Sequence, residues 1–209
     1  MLVKRRSPRP ENKVHPTKTA LIDTVVAMLA TMPVEEITCD AVLAASGISR
    51  GSLYYHFTDF GDLIEHALAV RFSSHVDSAI QALDGVLADS TSGTDFRDRL
   101  IDATDASITA AQNHRLERAI PFAAAANSER FRTALGAEQQ RLTDAHASTL
   151  LTASERGWIS PSVDVRAAAV FLQAASLGLV IAELAPHSVD PQAWGSLLRM
   201  VFDRVFVDR

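Results

Sequence analysis

The stretch "SGISRGSLYYHF", Ser46 to Phe57, follows a glycine turn with an arginine, two tyrosines and a histidine on a segment long enough for two helical turns. Leu53 and Phe57 stand four residues apart and so share one face of such a helix. Arg50, Ser52, Tyr54, Tyr55 and His56 then point wholly or partly outward, and each is a donor, a stacking surface or both. A helix of about eight residues does not persist alone, so Leu53 and Phe57 must dock it while the outward face stays free for something else.

The flanking residues predict the neighbouring helices. Ala20, Leu21, Val25, Met28 and Leu29 recur at helical spacing after Thr17, giving a first helix that stops near Met32 and Pro33. Thr38 suits the N-cap of a second helix carrying Val42, Leu43 and Ala45, and Gly47 suits the left-handed residue that ends it. Ile48 plugs the turn, Ser49 caps the third helix, and Asp59 caps a fourth with Asp62 as its capping-box acid. Two short helices around a tight turn, the second dense in hydrogen-bonding side chains, form a helix-turn-helix pattern, whose second helix enters the DNA major groove.

"ITCDAVLAASGISRGSLYYHFTDFGDLIEHAL", Ile37 to Leu68, resembles the DNA-binding segment of the tetracycline-repressor (TetR) family of transcriptional regulators. It matches that pattern at Thr38, Val42, Ala45, Gly47, Ser49, Gly51, Leu53, Tyr54, His56, Phe57 and Leu63. The resemblance covers the N-terminal third and implies that Thr38, Tyr54, Tyr55 and His56 hold the DNA backbone. Arg50 and Ser52, near the helix start beside the cap Ser49, are placed to read bases, and Gly51 lets the helix approach the duplex closely. Arg50 paired bidentately with a guanine provides about 1–3 kcal/mol of discrimination. The chain departs from the family at "TDFG", where Phe60 and Gly61 stand in place of a phosphate-contacting lysine.

Charge distribution adds a second nucleic-acid signal. The 209 residues carry a formal −5, yet residues 1–18 hold Lys4, Arg5, Arg6, Arg9, Lys13 and Lys18 against Glu11, so a +5 arm is attached to a −10 body. Lys4, Arg5 and Arg6 are candidates for phosphate or minor-groove contacts that compensate the missing lysine. Pro8, Pro10 and Pro16 keep this arm non-helical. The expected organisation is a basic arm over 1–16, a helix-turn-helix domain over 17–61 and a C-terminal ligand-binding and dimerisation domain over 62–209.

The composition is 47% apolar but only 6% aromatic, with few Gly or Pro, which favours an all-α fold. Helices are expected from Leu63 to about Ala88, from the "DSTSGT" loop to Asn113, over Glu129–Arg156 ended by Gly157, from Asp164 to Ala185, and from Pro191 to Phe206. Leu116–Ala126 reads as weaker because Pro121 lies inside it. The apolar run from Ala167 to Ala182 is shorter than the roughly 20 residues a membrane span needs and reads as a buried helix. A single cysteine and no apolar leader point to a cytoplasmic protein, with no membrane partner expected.

Ala174, Gly178 and Ala182, four apart, allow another helix to come close. In the TetR family the last two helices build a four-helix dimer interface, which implies a homodimer joined through Phe171, Ala174, Gly178, Ala182, Trp194, Leu198 and Val201. The resemblance also implies a small-molecule inducer enclosed by the middle helices, with Phe96, Ile108, Phe122, Phe131, Trp158 and Gln173 as candidate lining. A two-fold dimer binds double-stranded operator DNA as a near-palindrome with half-sites about 34–36 Å apart.

Other chemistries find little support. His114 and Glu117, with His146 further on, lack the second pair a di-metal bundle uses, and neither a phosphate-cradling loop nor a nucleophile elbow occurs. Cys39 reads as a small buried filler. No cofactor, metal or catalytic residue is expected. The rival reading is a helical ligand-binding or adaptor dimer that no longer binds DNA, which has no reason to keep Arg50, Tyr54 and the basic arm together.

Overall fold

The computed structural model describes residues 15–110, 115–184, 187 and 189–206, without the side chains of 107–110, 115–118, 183–184 and 191. Two compact units divide the chain, Met1–Val70 and Arg71–Arg209. All regular structure among the described residues is helical, apart from one isolated antiparallel bridge between Ile159 and Phe206.

In the first unit α1 spans Pro16–Met28, α2 Cys39–Ser46 and α3 Arg50–His56, with a 3-10 turn at Val34–Glu36 before α2. Pro16 belongs to the helix, not to the arm, because its fixed φ and missing N–H suit the first helical position. His15 supplies the cap, its Nδ1 accepting from the Thr17 N–H at 3.3 Å. The helix ends at Met28, four residues before the expected stop, as the chain tightens into i→i+3 bonds such as Thr31 N–H to Met28 O at 2.9 Å.

Leu21, Ile22 and Val25 form the buried stripe of α1, against which α2 and α3 pack. Thr38 Oγ1 accepts from the Ala41 N–H at 3.3 Å, and Ser49 Oγ from the Ser52 N–H at 3.2 Å, so both caps form where the sequence places them. Gly47 ends α2 at φ +67°, and a β-carbon there meets nothing within 4 Å. The backbone conformation, not lack of room, therefore demands glycine.

Helix α4, Phe60–Asp89, opens with a variant capping box: Asp59 Oδ1 accepts from Asp62 N–H at 2.7 Å and Asp62 Oδ2 from Thr58 N–H at 2.9 Å.

The second unit continues with α5 (Gly93–Ala110), α6 (Arg115–Asn127), α7 (Glu129–Glu155), α8 (Val165–Gly178), α9 (Val180–Leu184) and α10 (Pro191–Val205). Its core gathers Phe96, Leu100 and Ile101 of α5 with Leu150 and Ala153 of α7, Ala169 and Leu172 of α8, and Phe202 of α10. Phe96 lies at its centre, its ring 5.8 Å from Trp158 and 5.7 Å from Phe206. Gly157, at φ +76°, closes α7 in a Schellman turn, with Trp158 N–H on Ala153 O and Gly157 N–H on Ser154 O, both 2.9 Å, and so delivers Trp158 to this core.

The stretch around Pro121 is helical as expected, and one other expectation is corrected. Pro121 lies within an uninterrupted α6, where Pro121 and Ala125 form the buried face and packing against α7 offsets the lost backbone bond. The apolar helix expected to reach Ala185 breaks at Leu179 into α8 and α9, directly after Gly178, a poor helix former.

Candidate nucleic-acid interface

Helix α3 is docked through Leu53, fully buried, and through Phe57 at its C-cap, 2% exposed. The opposite side is solvent-facing: Arg50 and Gly51 are exposed, Tyr54 is 48% and Tyr55 83% exposed, and Ser52 and His56 are half-buried. The two tyrosines thus spend their rings on water, a costly arrangement for a side chain of that apolar area. Thr38 and Ser49 are exposed caps at the starts of α2 and α3, and the Ser49 and Ser52 hydroxyls lie 3.0 Å apart. A β-carbon on Gly51 meets only Ser49 Oγ, at 4.0 Å, so the chain's own packing leaves that surface open to close approach.

Three neighbours of this face are not apparent from the sequence. Arg50 Nη2 donates to Asp40 Oδ1 on α2, an ion pair exposed on both sides, and Asp40 is the first cause of the upward shift in the Arg50 pKa. His15 stacks on His56 with ring centroids 4.6 Å apart, while Tyr55 meets His56 edge-on at 5.0 Å. Lys18, counted with the arm by sequence, stands on α1 with its ammonium 5.2 Å from the Phe57 ring centroid and 3.2 Å from His66 Nε2.

Partial desolvation, then the nearness of His15 and Lys18, hold the His56 pKa below its ordinary value. Neither pairing follows from local sequence, since Asp40 and Arg50 stand 10 residues apart and His15 and His56 41. Lys4, Arg5 and Arg6 lie outside the described residues. Phe60 opens α4 half-buried.

In the second unit the apolar candidates divide by exposure. Phe171 is 44% exposed, Ala174 and Gly178 are exposed, and Ala182, Trp194 and Val201 are half-buried. Leu198 is buried within the chain, clustered with Leu179 and packed by Ala175 and Trp194; the exposed apolar positions of α10 are its neighbours Leu197 and Met200. Val165–Ala182 has a mean hydropathy of 1.8 with only 17% of the segment buried, so the sequence expectation of a buried helix is not met within one chain. The break at Leu179 leaves α8 with 14 residues, about 21 Å at 1.5 Å per residue, against a hydrocarbon core of about 30 Å.

The candidate pocket residues do not share one environment. Phe96 and Trp158 stack in the core, Phe131 is buried, and Phe122 is partly exposed, edge-on to Phe72 at 5.9 Å. Gln173 bonds Gln139, the Thr143 hydroxyl and the Ala169 carbonyl oxygen. The Ile108 side chain lies outside the description. His114 and Glu117 do so too, while His146 Nδ1 faces the Leu142 carbonyl at 2.9 Å. Among the described residues no group of three or more His, Cys, Asp or Glu could hold a metal. Cys39 is half-buried at the first position of α2.

No protein-family model and no curated protein sequence matches the chain. Solved structures do. A TetR-family transcriptional regulator from Cytophaga hutchinsonii superposes at TM-score 0.66 with 14% identity, over 92% of this chain and 96% of that one. GusR of Salmonella enterica gives 0.64 and 19%, over 92% and 97%. The fatty acid degradation regulator FadR of Bacillus halodurans gives 0.61 and 15%, over 91% and 96%. At these identities the likeness is one of fold: the chain has the all-α fold of TetR-family regulators, from end to end of the structures it resembles.

Proposed function

We propose that the protein is a sequence-specific DNA-binding transcriptional regulator, a homodimeric repressor released from a palindromic operator by a small molecule. The observation that carries this reading is the division of α3: two apolar anchors inward, and Arg50, Ser52, Tyr54, Tyr55 and His56 toward solvent or at its edge. Arg50 and Ser52 read bases, Thr38, Ser49, Tyr54, Tyr55 and His56 hold phosphates, and Gly51 admits the duplex. The basic Lys4, Arg5 and Arg6 add a salt-dependent contribution.

Dimerisation is supported by the large apolar side chains that α8, α9 and α10 leave exposed, Phe171, Ile181, Leu197 and Met200. A two-fold dimer calls for a near-palindromic operator with half-sites about 34–36 Å apart. An inducer acts by favouring an arrangement in which that spacing is lost, and operator DNA then weakens inducer binding by the same factor.

The Arg50–Asp40 pair, which cancels the charge of the best base reader, favours the second reading, an adaptor dimer without DNA. Selection of bound duplexes from a random pool separates the two. The regulator reading expects an enriched palindrome, with its preference relaxed at one position per half-site by Arg50→Ala. Absence of any enriched sequence at low salt, from protein that native mass spectrometry finds free of small molecules, would leave the adaptor.

A further inference from the structure

The ion pair between Arg50 and Asp40 lies on the face assigned to DNA, and the regulator reading leaves Asp40 without a role. Their side chains are 55% and 84% exposed respectively, so the pair does little to hold α2 against α3; exposed ion pairs contribute little to stability. Its effect is on the guanidinium itself. Arg50 occupies the first position of α3, where the residues of a recognition helix reach base edges. An unpaired arginine there has two competing targets, a guanine edge and the far more abundant phosphates. Asp40 alters that competition in two ways.

One Nη2 donor is engaged by Asp40 Oδ1, which restricts a rotamer-rich side chain and leaves the remaining donors of the five-donor fork available. The carboxylate also cancels the charge that draws arginine to phosphate, and it repels any phosphate approaching from its own side. Guanine O6 and N7 are neutral acceptors arranged for a bidentate fork and are penalised less.

We infer that Asp40 is a specificity-determining residue that orients the Arg50 guanidinium toward a guanine edge and withholds it from the phosphate backbone. This rests on the DNA-binding reading. Arg50 supplies the attraction and Asp40 the selectivity, so removing Asp40 yields a stickier and less discriminating protein.

The test is a double-mutant cycle on the full chain, using wild type, Asp40→Ala, Asp40→Asn, Arg50→Ala and the Asp40→Ala/Arg50→Ala double variant. Each is put through random-pool selection, then titrated against the enriched duplex and a scrambled one at several salt concentrations. In Asp40→Ala the released Arg50 takes a phosphate: scrambled-duplex binding tightens about tenfold and the log–log salt slope steepens by about 0.9. Preference for guanine at the Arg50 position falls about fivefold or more. Asp40→Asn shows the same direction, which separates charge from any loss of helix start. In the Arg50→Ala background the second substitution leaves base preference at that position unchanged. Unaltered base preference in Asp40→Ala overturns the inference, as does an equal effect with and without Arg50. Failure of wild type to enrich any sequence overturns the DNA reading itself, a different outcome from an enriched wild type with a silent Asp40.

Discussion

Lys18 on α1 places its ammonium 3.2 Å from His66 Nε2 on α4, and the other ring nitrogen of His66 lies 2.8 Å from the Asp62 carbonyl oxygen and 3.0 Å from its carboxylate. The histidine is thus held between a lysine from the first helix and the capping acid of the fourth, with Phe57 edge-on at 5.3 Å. Asp62 is 6% exposed and its Oδ2 closes the turn from α3 by accepting from Thr58 N–H. Loss of this cap in Asp62→Ala is expected to cost about 1–2 kcal/mol in urea unfolding. A loss below about 0.3 kcal/mol would show that water replaces the carboxylate at no penalty.

The lowered pKa of His56 gives the proposed DNA contact a pH signature. In the free protein His56 is held neutral to lower pH than usual, by desolvation and by His15 and Lys18. A phosphate beside it favours the imidazolium, so binding takes up a proton between the lowered free value and the raised bound one. Affinity should therefore rise as pH falls through the ordinary histidine range near 6.5 and level off only below the lowered free value, and His56→Gln should remove that rise. Affinity independent of pH in both proteins would place the phosphates away from His56.

His146 makes a separate prediction about stability. Burial is the first cause of its depressed pKa, partly opposed by its bond to Leu142 O. A histidine depressed on folding stabilises the native state above its unfolded pKa, and that contribution is lost as pH falls through about 6.5 toward the folded value. Denaturant midpoints should decline across that window, by no more than about tenfold in the folding constant per pH unit, and His146→Gln should flatten the decline. Asp95, lowered first by the Thr91 N–H, and Asp144, lowered first by Arg166, act in a different window. Their contributions are complete above about pH 3.8 and vanish only in stronger acid.

Exposure separates the dimer candidates by experiment. Ile181 is 74% exposed and Phe171 44%, so Ile181→Glu and Phe171→Glu should yield folded monomers in analytical ultracentrifugation with helical dichroism intact. Leu198→Glu places a charge in the Leu179 cluster and should instead lower the unfolding midpoint sharply. Dimers that survive both exposed substitutions would move the interface elsewhere.

A similar contrast tests the ligand-lining candidates. Phe96 is fully buried between Trp158 and Phe206, and Phe96→Ala should cost about 3–5 kcal/mol whatever ligand is present. Phe122→Ala, at a partly exposed ring, should cost about 1 kcal/mol. Equal losses would contradict the burial of Phe96.

What the sequence revealed was local chemistry. The caps at Thr38 and Ser49 and the left-handed Gly47 depend on residues within a few positions, and each forms as the sequence places it. Pro121 in α6 and the break after Gly178 depend on what packs against them, which periodicity does not encode. Leu197 and Leu198 are equally apolar, and only tertiary contact decides that Leu198 turns inward within the chain while Leu197 stays exposed. Asp40 escaped for the same reason: charge pairing across a turn needs the turn's geometry.

Two inward residues, Leu53 and Phe57, set the rotational register of α3, a helix of seven residues. A shift of one position turns a helix about 100°, so these anchors permit a single setting of the outward face. Positions 50, 52, 54 and 55 can then be exchanged as a cassette, since the core draws on none of them. In a lineage built on this scaffold, the chemistry of the outward face and the ability to fold can evolve as separate traits.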